Sequence, residues 1–465
     1  MYSKIDTKII EELGAIVGQT NVQTTKDILK AYGHDETEDF VFLPEVVVIP
    51  NTVGEVSKIM RLCNQQKIPV TPRGAGTGLA GGALPVCGGI LLSMERFNKI
   101  LNIDEQNLQI TTETAVITEV LQNAVKEKGL YYPPDPASKG TCYIGGNINT
   151  NSGGPHAVKY GVVKDYVLNL EVVLPNGEVI WTGANTLKNS TGYNLTQLMV
   201  GSEGTLGIVT KAVLKLIPQP SQSLLLLIPF ESPESACAAV SAIFRAGITP
   251  SCLEFMERRA IEYALVYLGD MKMMIPDEVQ AHLLLEVDGY YIESLYEDCE
   301  QIAKVVEGFG AEEILFADND AQKRELWRLR KCVGRAVKKG TIYKEEDTVV
   351  PRAELPKLLK GVKMIGQNYG FESVCYGHAG DGNLHVNIVK GELTEQQWNE
   401  ELPKAITEIF ELVKSLGGTI SGEHGIGWVQ RPYMPIVFGE VELGLMSAIK
   451  NVFDPNNILN PQKIF

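Results

Sequence analysis

The residues best suited to chemistry fall in one run, Cys375-Tyr-Gly-His378-Ala-Gly-Asp381-Gly382-Asn-Leu-His385-Val-Asn387, which sets two of the chain's six histidines on either side of an Asp-Gly turn. A second run, Ser421-Gly-Glu423-His424-Gly425, supplies a carboxylate and a further imidazole. Two imidazoles and a carboxylate form a common ligand set for a divalent metal with open positions, and His378, His385 and Glu423 suit Zn²⁺, Mn²⁺ or Fe²⁺ alike. His385 and Asn387 are two apart on the expected strand after the turn, so they share a face. His424, next to the carboxylate, is placed to act as a base. His34 and His282 stand alone and read as structural.

Two glycine-rich stretches come earlier. Arg73 to Gly82 contains Gly76-Thr77-Gly78-Leu-Ala-Gly81, which matches the G-x-G-x-x-G dinucleotide pattern literally. A Rossmann site needs a helix directly after that pattern. Here Pro85, Gly88 and Gly89 follow, and then the apolar strand Ile90-Leu-Leu-Ser, so the pattern predicts a loop whose backbone N–H groups converge on an anion, with Arg73 adding charge at its edge. Ile144 to Gly154 reads as a second loop of the same kind, and two such loops suit a long dinucleotide better than a single phosphate.

The elements that position these residues can be read from periodicity. Residues 1–36 form a helical segment ending near Gly33. Val46–Pro50 is a strand, Thr52-x-x-Glu55 a capping box opening a helix, and Ile68–Thr71 the next strand. Ile103–Thr112 alternates as one strand, and Ile117–Lys128 is a helix closed by Gly129. Strands follow at 167–174 and 178–182 around a Pro175-Asn-Gly177 turn. After Pro218-Gln-Pro220, strands alternate with longer helices: Leu224–Phe230 is a buried strand, Ser232-Pro-Glu caps a helix ending at Gly247, and 355–368 and 395–416 are helical. The tail from about Ile420 reads as short and irregular. The division expected is 1–36, 37–218, 219–419 and 420–465.

Composition narrows the functional classes. A chain of 465 residues at roughly 100–200 residues per domain holds two or three domains. A net charge of −15 argues against a nucleic-acid or anionic-membrane surface. The eight cysteines include no Cys-x-x-Cys, which argues against an iron–sulfur cluster or zinc ribbon and fits a reducing cytoplasm. No apolar run is long enough for an integral membrane segment.

In order along the chain, Pro72-Arg-Gly-Ala-Gly-Thr-Gly78, Pro133-Pro-Asp-Pro-Ala-Ser138, Gly145-Gly-Asn147, Lys159-Tyr-Gly161, Gly201-Ser-Glu-Gly-Thr-Leu-Gly207, the histidine run, Gly422-Glu-His-Gly425 and Leu459-Asn-Pro461 resemble one family. It is that of the glycolate oxidase flavin subunit and the FAD-linked D-lactate dehydrogenases, within the vanillyl-alcohol oxidase-like flavoproteins. The resemblance runs from about residue 40 to the C-terminus. It implies an α+β fold: a two-part FAD-binding domain, an α+β cap domain, and a C-terminal segment that returns to the flavin. It implies that Arg73, Gly74, Ala75, Gly76, Thr77 and Gly78 bind the pyrophosphate. The rest of FAD is implied to fall to Pro134, Asp135, Ser138, Gly145, Gly146, Asn149, Ser152, Gly153, Glu203, Gly207, Ile208 and Asn460. No histidine lies in 73–82, where some relatives attach flavin, so noncovalent FAD is expected. His156 reads as structural or flavin-adjacent. One departure is Gln462, in Asn460-Pro-Gln-Lys, where the family usually has glycine.

The resemblance supports His378, His385 and Glu423 as metal ligands and turns Asn387 toward substrate. It also tips Arg352, in Val349-Val-Pro-Arg, from a surface arginine to the partner of the substrate carboxylate, for which a planar guanidinium is suited. Trp327 and Arg330 read as packing and surface charge. The expected reaction is oxidation of a D-2-hydroxy acid, D-lactate or glycolate, to the 2-oxo acid, with His424 taking the hydroxyl proton. Electrons would pass to a partner, an electron-transfer flavoprotein or an iron–sulfur subunit. A metal-dependent hydrolase leaves the glycine-rich stretches unexplained, and a non-catalytic flavin-bearing subunit does not need the His/His/Glu/His set.

Overall fold

The computed structural model describes residues 2–37, 40–271, 273–311, 313–317 and 319–465. They form two compact units, one of residues 1–153, 162–219 and 423–465, the other of 154–161 and 220–422.

The first unit holds two sheets. The smaller runs in the order Val22–Gln23, Val46–Val48, Ile90–Ser93, Val70–Arg73, the last three parallel. The helix Val53–Gln66 makes the crossover; Thr52 accepts from Glu55 N–H at its start, and Val56, Ile59, Met60 and Cys63 bury its apolar stripe. The tail adds to the far edge, where Val70 N–H donates to Ile458 and Asn460 N–H to Val70, both at 2.7 Å. The larger sheet is antiparallel, in the order Ile100–Asp104, Gln109–Glu113, Ile208–Lys215, Val167–Val173, Val179–Trp181.

Four sequence expectations need correction in this unit. The helical segment expected over 1–36 also carries the strand Val22–Gln23, which pairs antiparallel with Val46–Val48. The run read as one strand over 103–112 is a hairpin, because the Asp104 carboxylate accepts from the N–H groups of Gln106 and Asn107 and turns the chain. The stretch expected to be a loop from Ile144 is a helix over Ile144–Thr150, with Asn147 Nδ2 donating to the distant Thr118 hydroxyl and Asn149 Nδ2 to the Gly145 carbonyl one turn back. The tail contains the helix Glu440–Phe453, with Glu440 and Glu442 in its first turn and Lys450 buried near its end against Asp454.

The second unit is built on one antiparallel sheet in the order Leu315–Ala317, Gln222–Phe230, Ala281–Gly289, Cys252–Glu257, Glu372–Gly377, Asn383–Val389, Tyr343–Val349. Amphipathic helices cover it, among them Pro233–Arg245, Arg258–Leu268, Asp320–Gly340 and Leu355–Tyr369. Ser232 caps the first of these as its sequence predicts. The strands Cys252–Glu257 and Asn383–Val389 are buried at every position, so polar side chains there must find partners inside the protein. No described helix is long and apolar enough to cross a membrane.

Candidate active site

The strand Glu372–Gly377 turns through Ala379–Asp381 and Gly382 into the strand Asn383–Val389. Gly382 has φ of 79°, and a Cβ there would collide with the Val350 carbonyl oxygen, so only glycine makes this turn. The turn brings the rings of His378 and His385 to a centroid separation of 5.4 Å at 83°, both buried. Asn387 follows His385 on the same face. It is fully buried, and neither of its amide atoms has a hydrogen-bond partner among the described residues.

Carboxylates surround the pair. His378 Nδ1 lies 2.8 and 3.0 Å from the two oxygens of Glu254, on the strand Cys252–Glu257. Burial alone would raise the Glu254 carboxyl, but Arg330 and then His378 outweigh it and hold the pKa below the ordinary value. An ionised Glu254 accepts from His378 Nδ1, which then carries the proton. That tautomer is the one a metal-binding histidine needs.

Arg330 is the partner of Glu254, with Nη2 2.5 Å from Oε2. It is not the surface charge that its sequence suggests. It is buried, it lies 5.1 Å from the Tyr376 ring centroid, and its Nε has no hydrogen-bond partner among the described residues. The signal was present: Leu326, Leu329, Val333 and Val337 mark the apolar stripe of this helix, and Arg330 falls on it. Glu254 was equally visible as an acid inside an apolar strand.

On the other side, Asp347 is registered opposite His385, with its carboxylate 3.6 Å from Nδ1. Asp347 also fixes the approach of the second motif. Its Oδ2 accepts from Gly422 N–H at 2.7 Å and from the Ser421 hydroxyl at 3.0 Å. A Cβ on Gly422 would lie 2.5 Å from Val349, so the backbone needs glycine to come this close. Glu423 is the next residue and opens the last segment of the first unit. Arg352 sits beside the turn, its N 3.3 Å from where a Gly382 Cβ would be, and its guanidinium stacks 3.8 Å from the Phe244 ring centroid.

In the first unit the two glycine-rich stretches meet. A Cβ on Gly74 would lie 3.9 Å from Gly146 N. Arg73 does not stand at the loop's edge as expected. It is buried beneath the loop, donating from Nη1 to the His34 carbonyl at 2.6 Å, and Gly76, at φ of 74°, leaves the room its guanidinium fills. Asn149 receives the Gly204 N–H on Oδ1, and Asn460 donates from Nδ2 to the carbonyls of Gly82 and Glu203. The buried hydroxyls of Ser152 and Ser202 and the Asn460 Oδ1 have no hydrogen-bond partner among the described residues. These unmet polar atoms, close to the converging glycines in sequence or in space, fit a polar dinucleotide.

The other residues expected at FAD are placed as follows. Pro134 accepts from Gln122 through its carbonyl, and Asp135 is buried 3.9 Å from Lys139 Nζ. The Ser138 carbonyl accepts from Thr141 and Cys142. Gly207 packs on Val172, and Ile208 begins a buried strand. The Glu203 carboxylate is taken by the N–H groups of Ile426 and Gly427, at 2.8 and 2.7 Å, which fixes the chain just beyond His424.

Comparison with known proteins fits this geometry. Residues 44–183 match the family model of the FAD binding domain, and residues 219–464 that of the C-terminal domain of FAD linked oxidases. The chain is 40% identical over 464 residues to the glycolate oxidase subunit GlcD of Bacillus subtilis (strain 168), covering 99% of this chain and 97% of that protein. It is 38% identical over 470 residues to a D-lactate dehydrogenase of Anaerostipes hadrus, covering 100% of this chain and 98% of that protein. Among solved structures, substrate-bound p-cresol methylhydroxylase superposes with a TM-score of 0.80 at 20% identity, over 98% of this chain and 96% of that one, a likeness of fold.

Proposed function

The chain belongs to the FAD-linked oxidases, and from that premise we propose that it oxidises a D-2-hydroxy acid, D-lactate or glycolate, to the 2-oxo acid. Its fold is the α+β, vanillyl-alcohol oxidase-like FAD-binding fold, and FAD is its cofactor, held without a covalent bond in this reading. The observation that carries the choice of chemistry is the buried set in the second unit: two histidines, one with its tautomer fixed by an ionised glutamate, beside an asparagine with an unsatisfied amide.

When bound, FAD would supply two-electron oxidation at the carbinol carbon, and a divalent metal, Zn²⁺, Mn²⁺ or Fe²⁺, would supply Lewis acidity. His378, His385 and Glu423 are the proposed metal ligands. Glu254 keeps His378 in the ligating tautomer, and Asp347 holds the backbone that leads into Glu423. His424 takes the hydroxyl proton. Asn387 offers its amide to the substrate. The sequence motif proposes Arg352 for the substrate carboxylate. The buried Arg330 is the stronger candidate on geometry, because its Nε–H is unengaged among the described residues while its Nη2 is anchored on Glu254. The acceptor of the electrons is a partner protein, an electron-transfer flavoprotein or an iron–sulfur subunit; the relative described as a subunit supports an assembly of this kind.

The test is the anaerobic visible spectrum of the metal-replete protein before and after substrate. Flavin bands that bleach with D-lactate and not with L-lactate support the reading. Bands that persist with every 2-hydroxy acid overturn the dehydrogenase assignment and favour an electron-carrying flavin subunit.

A further inference from the structure

A second cluster of metal-ligating side chains lies elsewhere in the second unit. One ligand atom from each of His156, Cys252 and Glu286, an imidazole nitrogen, the thiol sulfur and a carboxylate oxygen, lie within 4.8 Å of one another. Cys252 and Glu286 are direct partners in the antiparallel register of two neighbouring strands, so the sheet itself fixes their side chains together. His156 reaches the pair from the short segment Gly154–Gly161.

The surroundings hold these groups in place. Trp327 Nε1–H donates to Glu286 Oε2 at 2.9 Å, and a carboxylate fixed at one oxygen is the usual partner arrangement of a metal ligand. The His156 ring stacks on the Trp327 indole, with centroids 6.2 Å apart and planes at 24°. The segment that carries His156 is fastened separately: Lys159 Nζ donates to the Asp288 carbonyl at 2.7 Å, and the Tyr160 hydroxyl to the Asp288 carboxylate at 2.7 Å. Asp288 is two residues beyond Glu286 on the same strand.

We propose that His156, Cys252 and Glu286 form a metal site for Zn²⁺ or a similar thiophilic divalent cation, distinct from the His378, His385 and Glu423 set. One thiolate, one imidazole and one carboxylate leave a fourth tetrahedral position for water. Tetrahedral bonds of about 2.0–2.3 Å need the ligand atoms to draw in by roughly an ångström, within reach of side-chain rotation. Binding exchanges the Cys252 thiol proton for the metal and releases that proton to solvent; no oxidation is involved. The site clips the segment 154–161 to the sheet. Its sulfur distinguishes it from the histidine site, whose proposed ligands include none.

The experiment is zinc content and zinc X-ray absorption of the full-length, FAD-loaded protein after dialysis against Zn²⁺, for wild type, Cys252→Ser, Glu286→Gln and His385→Ala. The expected result is a sulfur scatterer at about 2.3 Å in wild type and in His385→Ala, lost in Cys252→Ser together with one equivalent of zinc. Glu286→Gln should weaken zinc binding at that site at least tenfold while melting temperature and flavin content stay near wild type. It gives a second reading if Cys252→Ser fails to fold. No sulfur scatterer in zinc-loaded wild type, or an unchanged sulfur signal in folded Cys252→Ser, overturns the proposal. The proposed active-site ligands are tested apart from it: if only those are wrong, His385→Ala keeps its full zinc content and the Cys252-dependent sulfur signal remains.

Discussion

His378 Nδ1 and the Glu254 carboxylate meet at 2.8 Å inside the second unit, where neither group reaches bulk water. An ionised Glu254 keeps the proton on Nδ1 of His378, the tautomer that the proposed metal site requires. Glu254→Gln keeps the shape and removes the charge. Its amide can present either face to Nδ1, so the tautomer is no longer enforced. The expected outcome is a 10–100-fold loss of metal affinity with FAD content unchanged. Metal titration of the purified variant, followed by calorimetry, measures it. Unchanged affinity would remove Glu254 from the site.

Arg330 and Arg352 can be separated by kinetics. A carboxylate bound by a guanidinium loses planar pairing when the residue becomes lysine, even though the charge stays. Arg330→Lys should lower kcat/KM for D-lactate by about 10–100-fold, the loss of one charge-assisted bond at roughly 1.5–3 kcal/mol. Arg352→Lys should cost less than threefold, because its visible contact is the Phe244 ring. The reverse ranking would return the carboxylate to Arg352.

His424→Ala should keep its flavin spectrum and its fold but lose most flavin reduction by substrate, by about 10²–10⁴-fold if it is the general base. Stopped-flow reduction under anaerobic conditions reads this directly. Normal reduction would sink the assignment of His424 as base.

The histidine turn was legible because it rests on local chemistry. An Asp-Gly pair between alternating residues fixes a turn whatever surrounds it, and Gly382 adopts the positive φ that the pair predicts. The order of family motifs made the FAD-binding fold legible in the same way. What the sequence hid was the support. Glu254 and Arg330 are 76 positions apart and meet only through sheet and helix packing, so each looked like an isolated charge. The helix at Ile144–Thr150 was hidden for another reason. Its glycines and asparagines carry weak helix propensity, and side-chain bonds such as Asn147 to Thr118 hold it instead. The strand expected over 103–112 failed because alternation continues through the Asp104 turn.

Gln462 has a φ of 62°, in the left-handed region that glycine adopts without strain. Side chains there cost about 1–2 kcal/mol. Glycine also enlarges the freedom of the unfolded chain, which offsets part of the gain. Gln462→Gly should therefore stabilise the protein by up to about 1 kcal/mol, seen as a rise in the urea midpoint with no change in slope. Its neighbour Lys463, buried with Nζ on the Leu84 carbonyl, should be undisturbed. A lower midpoint would show that the turn is relaxed as it is.

Glu203 ties stability to pH. Burial pushes its carboxyl up to about 7 from an ordinary 4.5, against the opposing pull of the Ile426 and Gly427 N–H groups. Between those two values the folded protein holds a proton on Glu203 that the unfolded chain has lost. The unfolded state then binds fewer protons, and stability falls as pH rises through that window. A shift of this size corresponds to roughly 1–3 kcal/mol, at the lower end because the side chain keeps some contact with solvent. Glu203→Gln, which cannot ionise, should flatten the dependence of melting temperature on pH between about 4.5 and 7, from a lower baseline because its amide oxygen accepts from only one of the two N–H donors. The same slope in both proteins would show that Glu203 is already ionised throughout, held by the two backbone donors alone.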